Sequence, residues 1–273
     1  MTRRALVLVK GAGDLATGCA VRLARCGFAV VMTELGAPTA VRRTVAFSEA
    51  VHEGTVSVEG IRARLAQSPA AARRIARSGD VAVLVDPEDR ARARLAPVAV
   101  VDARMAKRNL GTERGEAAAV IGLGPGFTAG LDVDAVIETN RGHALGSVIL
   151  DGQAEPNTGV PGEIGGYATE RLLRAPAAGR LRALRTIGDS VEAGAEVGDV
   201  EGQPVTAPIA GVLRGLIRDG SQVRAGQKIG DVDPRARPEH CFTVSDKARS
   251  VAGGVLEAIL HLRSRVPDPA PRS

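Results

Sequence analysis

The chain has 273 residues, 44% of them hydrophobic and 25% charged, with a net charge of +5. That length suits one large domain or two modest ones, and no apolar run is long enough to predict a membrane span. With no Trp, one Tyr and four Phe there is little to stack on bases, and no Lys/Arg block forms an arm, so no nucleic-acid partner is expected. Cys19, Cys26 and Cys241 are scattered with no C-x-x-C, which argues against a disulfide framework and against a metal site. Met1–Arg4 leads straight into a strand without a signal-peptide core, so the cytoplasm is the expected compartment.

The chain begins with a strand over Leu6–Val9, a bend at Gly11, Ala12 and Gly13, and a helix carrying Leu15, Cys19, Leu23 and Cys26 on one face. Asp14 stands where a helix N-cap is expected, and Gly27 where a left-handed C-cap is expected. A second strand, Ala29–Met32, ends at Glu34. The pattern Gly11-x-Gly13-x-x-Ala16 in this context is that of a dinucleotide-binding turn. Its amides would meet a pyrophosphate, and Glu34 would accept bonds from ribose hydroxyls and repel a 2′-phosphate. Asp14 beside the phosphate argues the other way, and the alternative is a sheet whose first turn binds nothing. A P-loop is excluded because Cys19-Ala20 replaces the Lys-Ser/Thr pair.

Farther along, a helix is expected over Ala40–Ala50, a strand at Thr55–Val58, and a helix opened by Ser68-Pro69. Strands follow at Val81–Val85 and Val98–Val101, with a helix over Glu88–Leu95 between them. This alternation predicts an α/β fold, a Rossmann-like doubly wound parallel sheet, with ligands at the carboxyl ends of its strands. Asp102, Arg104 and Lys107 fall at one such end. Glu138, Asn140, Arg141 and His143 crowd another, after an apolar run at Ala135–Ile137. That density marks a candidate ligand site or a hydrogen-bonded surface turn. His143 has no identifiable nucleophile partner and reads first as a structural donor.

Residues 1–152 are taken as the nucleotide-binding domain with a β extension, and 153–170 as a Gly/Pro-rich linker. Ala175-Pro176 returns as Ala207-Pro208, Gly188–Gly194 as Gly220–Gly226, and Gly198–Val200 as Gly230–Val232, always 32 residues on. Two such copies must pair to bury their apolar faces, which predicts a pseudo-symmetric β domain over 171–235. It resembles the biotinyl/lipoyl barrel-sandwich. That family places its modified lysine between the halves; here 200–206 holds no lysine, and Lys228 lies inside the second copy, so neither biotin nor lipoate is expected. The unit reads as a docking or oligomerisation module, which allows a homo-oligomer, or as a lid. The C-terminal segment, 236–273, carries a helix over 245–263 capped by Ser245, with Gly253-Gly254 in its middle, and a frayed tail at Pro267–Ser273.

Five stretches carry a resemblance over nearly the whole chain. They are Lys10–Gly18, Arg42–Phe47, Asp102–Lys107, Gly122–Gly130 and Glu138–His143. They resemble the YqeB family, called selenium-dependent molybdenum hydroxylase system proteins. The resemblance implies an accessory role in maturing a molybdenum-containing hydroxylase. Its expected partners are a nucleotide and the hydroxylase apoenzyme, and its cofactors NAD or another nucleotide with transient molybdenum cofactor. Arg104, Lys107 and Arg141 would then meet phosphate or the anionic pterin. An NAD-dependent oxidoreductase, with Lys107 or His143 as acid/base, and a non-catalytic scaffold are the alternatives.

Overall fold

The computed structural model describes residues 4–160 and 162–263. The residues 1–3 and the tail read at Pro267–Ser273 lie outside the described residues. The first unit is built on β1 (Leu6–Lys10), β2 (Ala29–Glu34), β3 (Thr55–Val58), β4 (Ile61–Ala66), β5 (Val81–Val85), β6 (Ala99–Asp102) and β7 (Ala119–Leu123). A short β8 (Thr128–Ala129) precedes β9 (Ala135–Ile137) and β10 (Val148–Ile149). Nine of these form one mixed sheet in the order β10-β9-β7-β6-β1-β2-β5-β4-β3. The pairings are parallel except in the β3/β4 and β9/β10 hairpins at the two edges. The central strands are buried along most of their length because helices cover both faces, so they read as unbroken apolar runs.

One face packs on α1 (Asp14–Arg25); the other packs on α3 (Pro69–Ser78) and α4 (Ala91–Leu95), after a one-turn α2 (Ala50–Glu53). The helix expected over Ala40–Ala50 is instead two 3₁₀ turns, Arg43–Val45 and Phe47–Glu49, followed by α2. The reason is side-chain capture: Thr17 Oγ1 takes the Phe47 amide at 2.8 Å, and Ala12 O takes the Ser48 amide at 2.9 Å. At the end of α1, the Phe28 amide reaches Leu23 O and the Gly27 amide reaches Ala24 O, with Gly27 left-handed as expected.

The crossovers from β6 to β7 and from β7 to β9 carry no helix. Their face is covered by α5 (Asp246–Arg263), which returns from the far end of the chain to lie on α1, β7 and β9. Small residues make this possible. A Cβ on Gly18 would meet Ala248 Cβ at 2.9 Å, and one on Gly254 would run into Gly146 O. A two-stranded pair, β8 with β11 (Gly152–Gln153), closes the opposite face.

The second unit comprises β12 (Leu172–Arg174), β13 (Gly179–Ala183), β14 (Ser190–Val191), β15 (Glu196–Val200), β16 (Gln203–Thr206), β17 (Gly211–Leu216), β18 (Gln222–Val223) and β19 (Lys228–Asp233). They form two four-stranded antiparallel sheets, β12-β19-β17-β14 and β16-β15-β13-β18. A shift of 32 residues carries β13 to β17, β14 to β18 and β15 to β19, so it exchanges the two sheets strand for strand. Leu173, Leu181, Val197, Leu213, Leu216 and Ile229 fill a shared core. The unit docks on the first through main-chain carbonyls: the Leu216 amide gives to Val41 O at 2.9 Å, and the Arg43 side chain gives from Nε to Leu216 O at 2.8 Å.

Candidate functional site

The carboxyl ends of β1, β2, β5 and β6 surround a cavity of about 370 Å³. Gly11, Gly13, Asp14, Glu34, Asp86 and Arg104 are among the residues that line it. Gly11 is left-handed, and a Cβ there would press on Ala103 O at 3.2 Å. At Gly13 an added Cβ would meet nothing within 4 Å, so the space over the helix start is open.

The bend does not offer all its amides. Gly11 N–H gives to Thr33 O at 2.8 Å, and Ala12 N–H gives to Glu34 Oε2 at 2.9 Å. Glu34 Oε1 also takes the Leu35 amide at 2.7 Å. Half of the expected anion cradle is therefore closed by the protein's own strand end. The amides that remain are those at the start of α1, whose N-cap is Gly13, not Asp14. Asp14 is the first helical residue, and Arg42 Nη1 stands 3.3 Å from its carboxylate, which offsets its charge.

Behind the cavity lies a buried polar knot. Lys10 is 2% exposed at the end of β1. Its Nζ meets Glu116 at 2.7 Å, Asp89 at 2.9 Å and Thr112 Oγ1 at 3.0 Å. Thr112 donates to Asp102 at 2.8 Å, and Arg104 closes on the same carboxylate through Nε and Nη2. Asp102 is thus a buried anchor for Arg104, whose guanidinium is desolvated yet held charged by Asp102. Beyond it, Met105 and Lys107 both adopt left-handed backbone, which is uncommon for such residues.

Glu138 is buried at the end of β9 and takes the Asn140 amide at 2.6 Å and the Glu155 amide at 2.8 Å. It staples the loop and is not among the lining residues of the three cavities. Asn140 bonds Glu155, and Arg141 makes a bidentate pair with Asp246 at 2.7 and 3.0 Å. His143 is exposed and lines none of the cavities described here.

The stretch is therefore split. Arg141 lines a second cleft of about 400 Å³, which also touches Gly13, Asp14, Arg214 and Lys247. Asn140, Arg141 and Lys107 line a third cavity of about 440 Å³. Glu34 and Arg104 belong to the first cavity alone.

A protein of Escherichia coli K12 named YqeB, described as uncharacterized, is 51% identical over 257 residues. The chain is similar to YqeB. The match covers 94% of this chain and 48% of that protein, so the chain spans about half the length of the relative it matches. No family profile matches. Among solved structures, an aspartoacylase family protein of Mesorhizobium loti is 13% identical, with 86% of this chain and 87% of that one covered at a TM-score of 0.29. The ectoine utilization protein EutE of Ruegeria pomeroyi is 12% identical, with 78% and 61% covered at a TM-score of 0.23.

Lys10, Asp89, Thr112 and Glu116, which sequence reasoning missed, come from three separate segments, and a lysine closing an apolar strand was their single local signal. Arg42, Arg171, Arg214, Lys228 and Lys247 gather only when the repeat and α5 fold back on the first unit. Among the described residues no cluster of His, Cys, Asp and Glu could hold a metal ion. No helix of the described chain is long and apolar enough to cross a membrane.

Proposed function

We propose that the chain is a YqeB-family, nucleotide-binding accessory factor for a molybdenum-containing hydroxylase. The observation that carries the nucleotide reading is the joint presence of Glu34 and the open start of α1 in one cavity. The strand order β5-β2-β1-β6-β7-β9 matches the 3-2-1-4-5-6 order of Rossmann-like dinucleotide domains, with the cavity at its switch point. The ribose hydroxyls would donate to Glu34, whose oxygens each keep a lone pair beyond the amide they already hold. The phosphates would sit over Gly13 on the free amides of α1.

The two exchanged β sheets support a biotinyl/lipoyl-like module serving as a docking surface for the hydroxylase apoenzyme or a second copy. The β15–β16 joint carries Glu201-Gly202 and no lysine, which accords with a module that is not modified. An oxidoreductase reading has less support, because His143 is not among the residues lining the Glu34 cavity and Lys107 lines a different one. Cytoplasmic maturation fits the resemblance.

Thermal denaturation with NAD, NADP, AMP, CTP, molybdate and pterin phosphates tests the reading. A ligand at 100 times its Kd is expected to add about 2.7 kcal/mol. A shift by NAD that Glu34→Ala abolishes supports the ribose role; no shift with any nucleotide refutes it. Failure of a molybdenum hydroxylase to co-purify with the chain refutes the accessory role.

A further inference from the structure

The chain carries 36 Lys and Arg residues, and just four are lysines: Lys10, Lys107, Lys228 and Lys247. Lys10 lines the Glu34 cavity, and the other three, from three distant segments, converge on the second and third. Lys107 comes from the loop after β6, Lys228 from the start of β19, and Lys247 from the first turn of α5. Lys228 and Lys247 face both cavities and join them into one cleft.

The charges in this cleft do not balance. Arg42, Arg141, Arg171 and Arg214 are paired with Asp14, Asp246, Asp231 and Asp233, the last shared with Arg235. Lys107, Lys228 and Lys247 have no ion-pair partner among the described residues. Lys247 also stands at a helix N-terminus, where the backbone dipole disfavours a cation. Burial, and then the positive charges of Lys107 and Arg141, press its ammonium below its ordinary pKa.

The wall behind these lysines is built and incomplete. Arg171 and Arg214 are 7% and 5% exposed, line the cleft, and leave their Nε–H groups without an acceptor among the described residues. Arg214 is held below the ordinary arginine value by burial and by the neighbouring Arg42. Unmatched cations and orphaned donors around an open volume of about 400 Å³ call for an anion.

We propose that this cleft is a second ligand site, taking a phosphorylated small molecule whose phosphate ester or pyrophosphate carries at least two negative charges. Lys228 and Lys247 grip the phosphate as point charges, and Lys107 closes the outer side. The cleft adjoins the Glu34 cavity at Gly13 and Asp14, but its three lysines lie outside that cavity, so the site stands or falls without the nucleotide reading.

The test is calorimetric titration of the full chain with inorganic pyrophosphate at fixed ionic strength. Wild type and the double variant Lys228→Gln with Lys247→Gln are compared. Binding is expected in wild type and weaker by roughly tenfold or more in the lysine variant. No binding at millimolar pyrophosphate, or equal binding by the lysine variant, overturns the site. Reductively methylated wild type supplies a readout that needs no variant. The signals of Lys107, Lys228 and Lys247 should shift on adding pyrophosphate, and their failure to move also overturns it.

Discussion

The carboxylate of Glu34 holds the amide of Ala12 at 2.9 Å across 22 residues of chain. This bond fastens the end of β2 to the bend after β1. It positions the acid over the cavity and also consumes an amide that a phosphate could have used. The phosphate position is thereby pushed one step along, from the bend itself to the start of α1.

Replacing Glu34 with Ala leaves the Ala12 amide short of an acceptor in a half-buried place. A loss of about 1–3 kcal/mol is expected in urea unfolding. Glu34→Gln keeps an acceptor and should recover most of that stability while weakening ribose binding. Equal stability of Glu34→Ala and wild type would show that water replaces the bond.

Lys10 is the second structural lever. Lys10→Met removes the buried cation between Glu116 and Asp89 and leaves the two carboxylates to Arg92 alone, whose Nε stands 3.3 Å from Asp89 and 3.8 Å from Glu116. Breaking a buried pair in this way costs about 3–5 kcal/mol. Adding Glu116→Gln to Lys10→Met should return part of the loss, which chemical denaturation of the single and double variants would measure.

The two architectures were legible in the sequence for different reasons. The bend and its flanking strands are local, so Gly11, Gly13 and the run Leu6–Val9 announce them within thirty residues. The β unit announces itself by repetition, and the 32-residue offset carries over to the strands β13/β17, β14/β18 and β15/β19. What could not be read was contact between distant segments. Ala40–Ala50 has a helical pattern, but Thr17 and Ala12 take its amides and break it into 3₁₀ turns. The lysine cleft was invisible because Lys107, Lys228 and Lys247 meet only through the docking of three elements. Glu138 and Arg141 look alike in sequence, yet one is a buried staple and the other lines the cleft.

Gly254→Ala separates propensity from packing. Alanine favours a helix over glycine by about 1 kcal/mol. Here its Cβ would enter the space of Gly146 O, a main-chain atom with little freedom to retreat. A net loss of about 1–3 kcal/mol is expected, with α5 lifting from β10. Gly253→Ala, one residue earlier, meets only Arg22 Nη1 at 3.6 Å and should be neutral or stabilising. Melting temperatures of the two variants check the contrast.

The three thiols should react unequally. Cys19 is fully buried against the sheet, and burial pushes its pKa up to about 12. Cys241 is also buried, and its pKa is raised by the same cause. Cys26 is exposed at the end of α1. A thiol reagent near neutral pH should modify Cys26 alone in the native chain and all three thiols after denaturation. Mass spectrometry of labelled peptides reads this directly, and native labelling of Cys19 would mean that α1 lifts from the sheet.

The pair between Arg141 and Asp246 sets an acid limit on the docking of α5. The hydrogen bonds from Arg141 outweigh the cost of burial and hold the Asp246 carboxyl well below its ordinary range. A depressed carboxylate contributes stability above its unfolded pKa, about 3.9, and loses it as pH falls from there toward the folded value. The Asp246 side chain is 64% exposed, so solvent screens the pair and its worth is below about 1 kcal/mol. Asp246→Asn should therefore be slightly less stable than wild type near pH 7, and the gap should close on acidification below about pH 4. Added salt should narrow it at neutral pH as well. Denaturation curves of the two proteins over this pH range measure the gap, and a difference that persists unchanged at low pH would assign the effect to helix capping rather than to the ion pair.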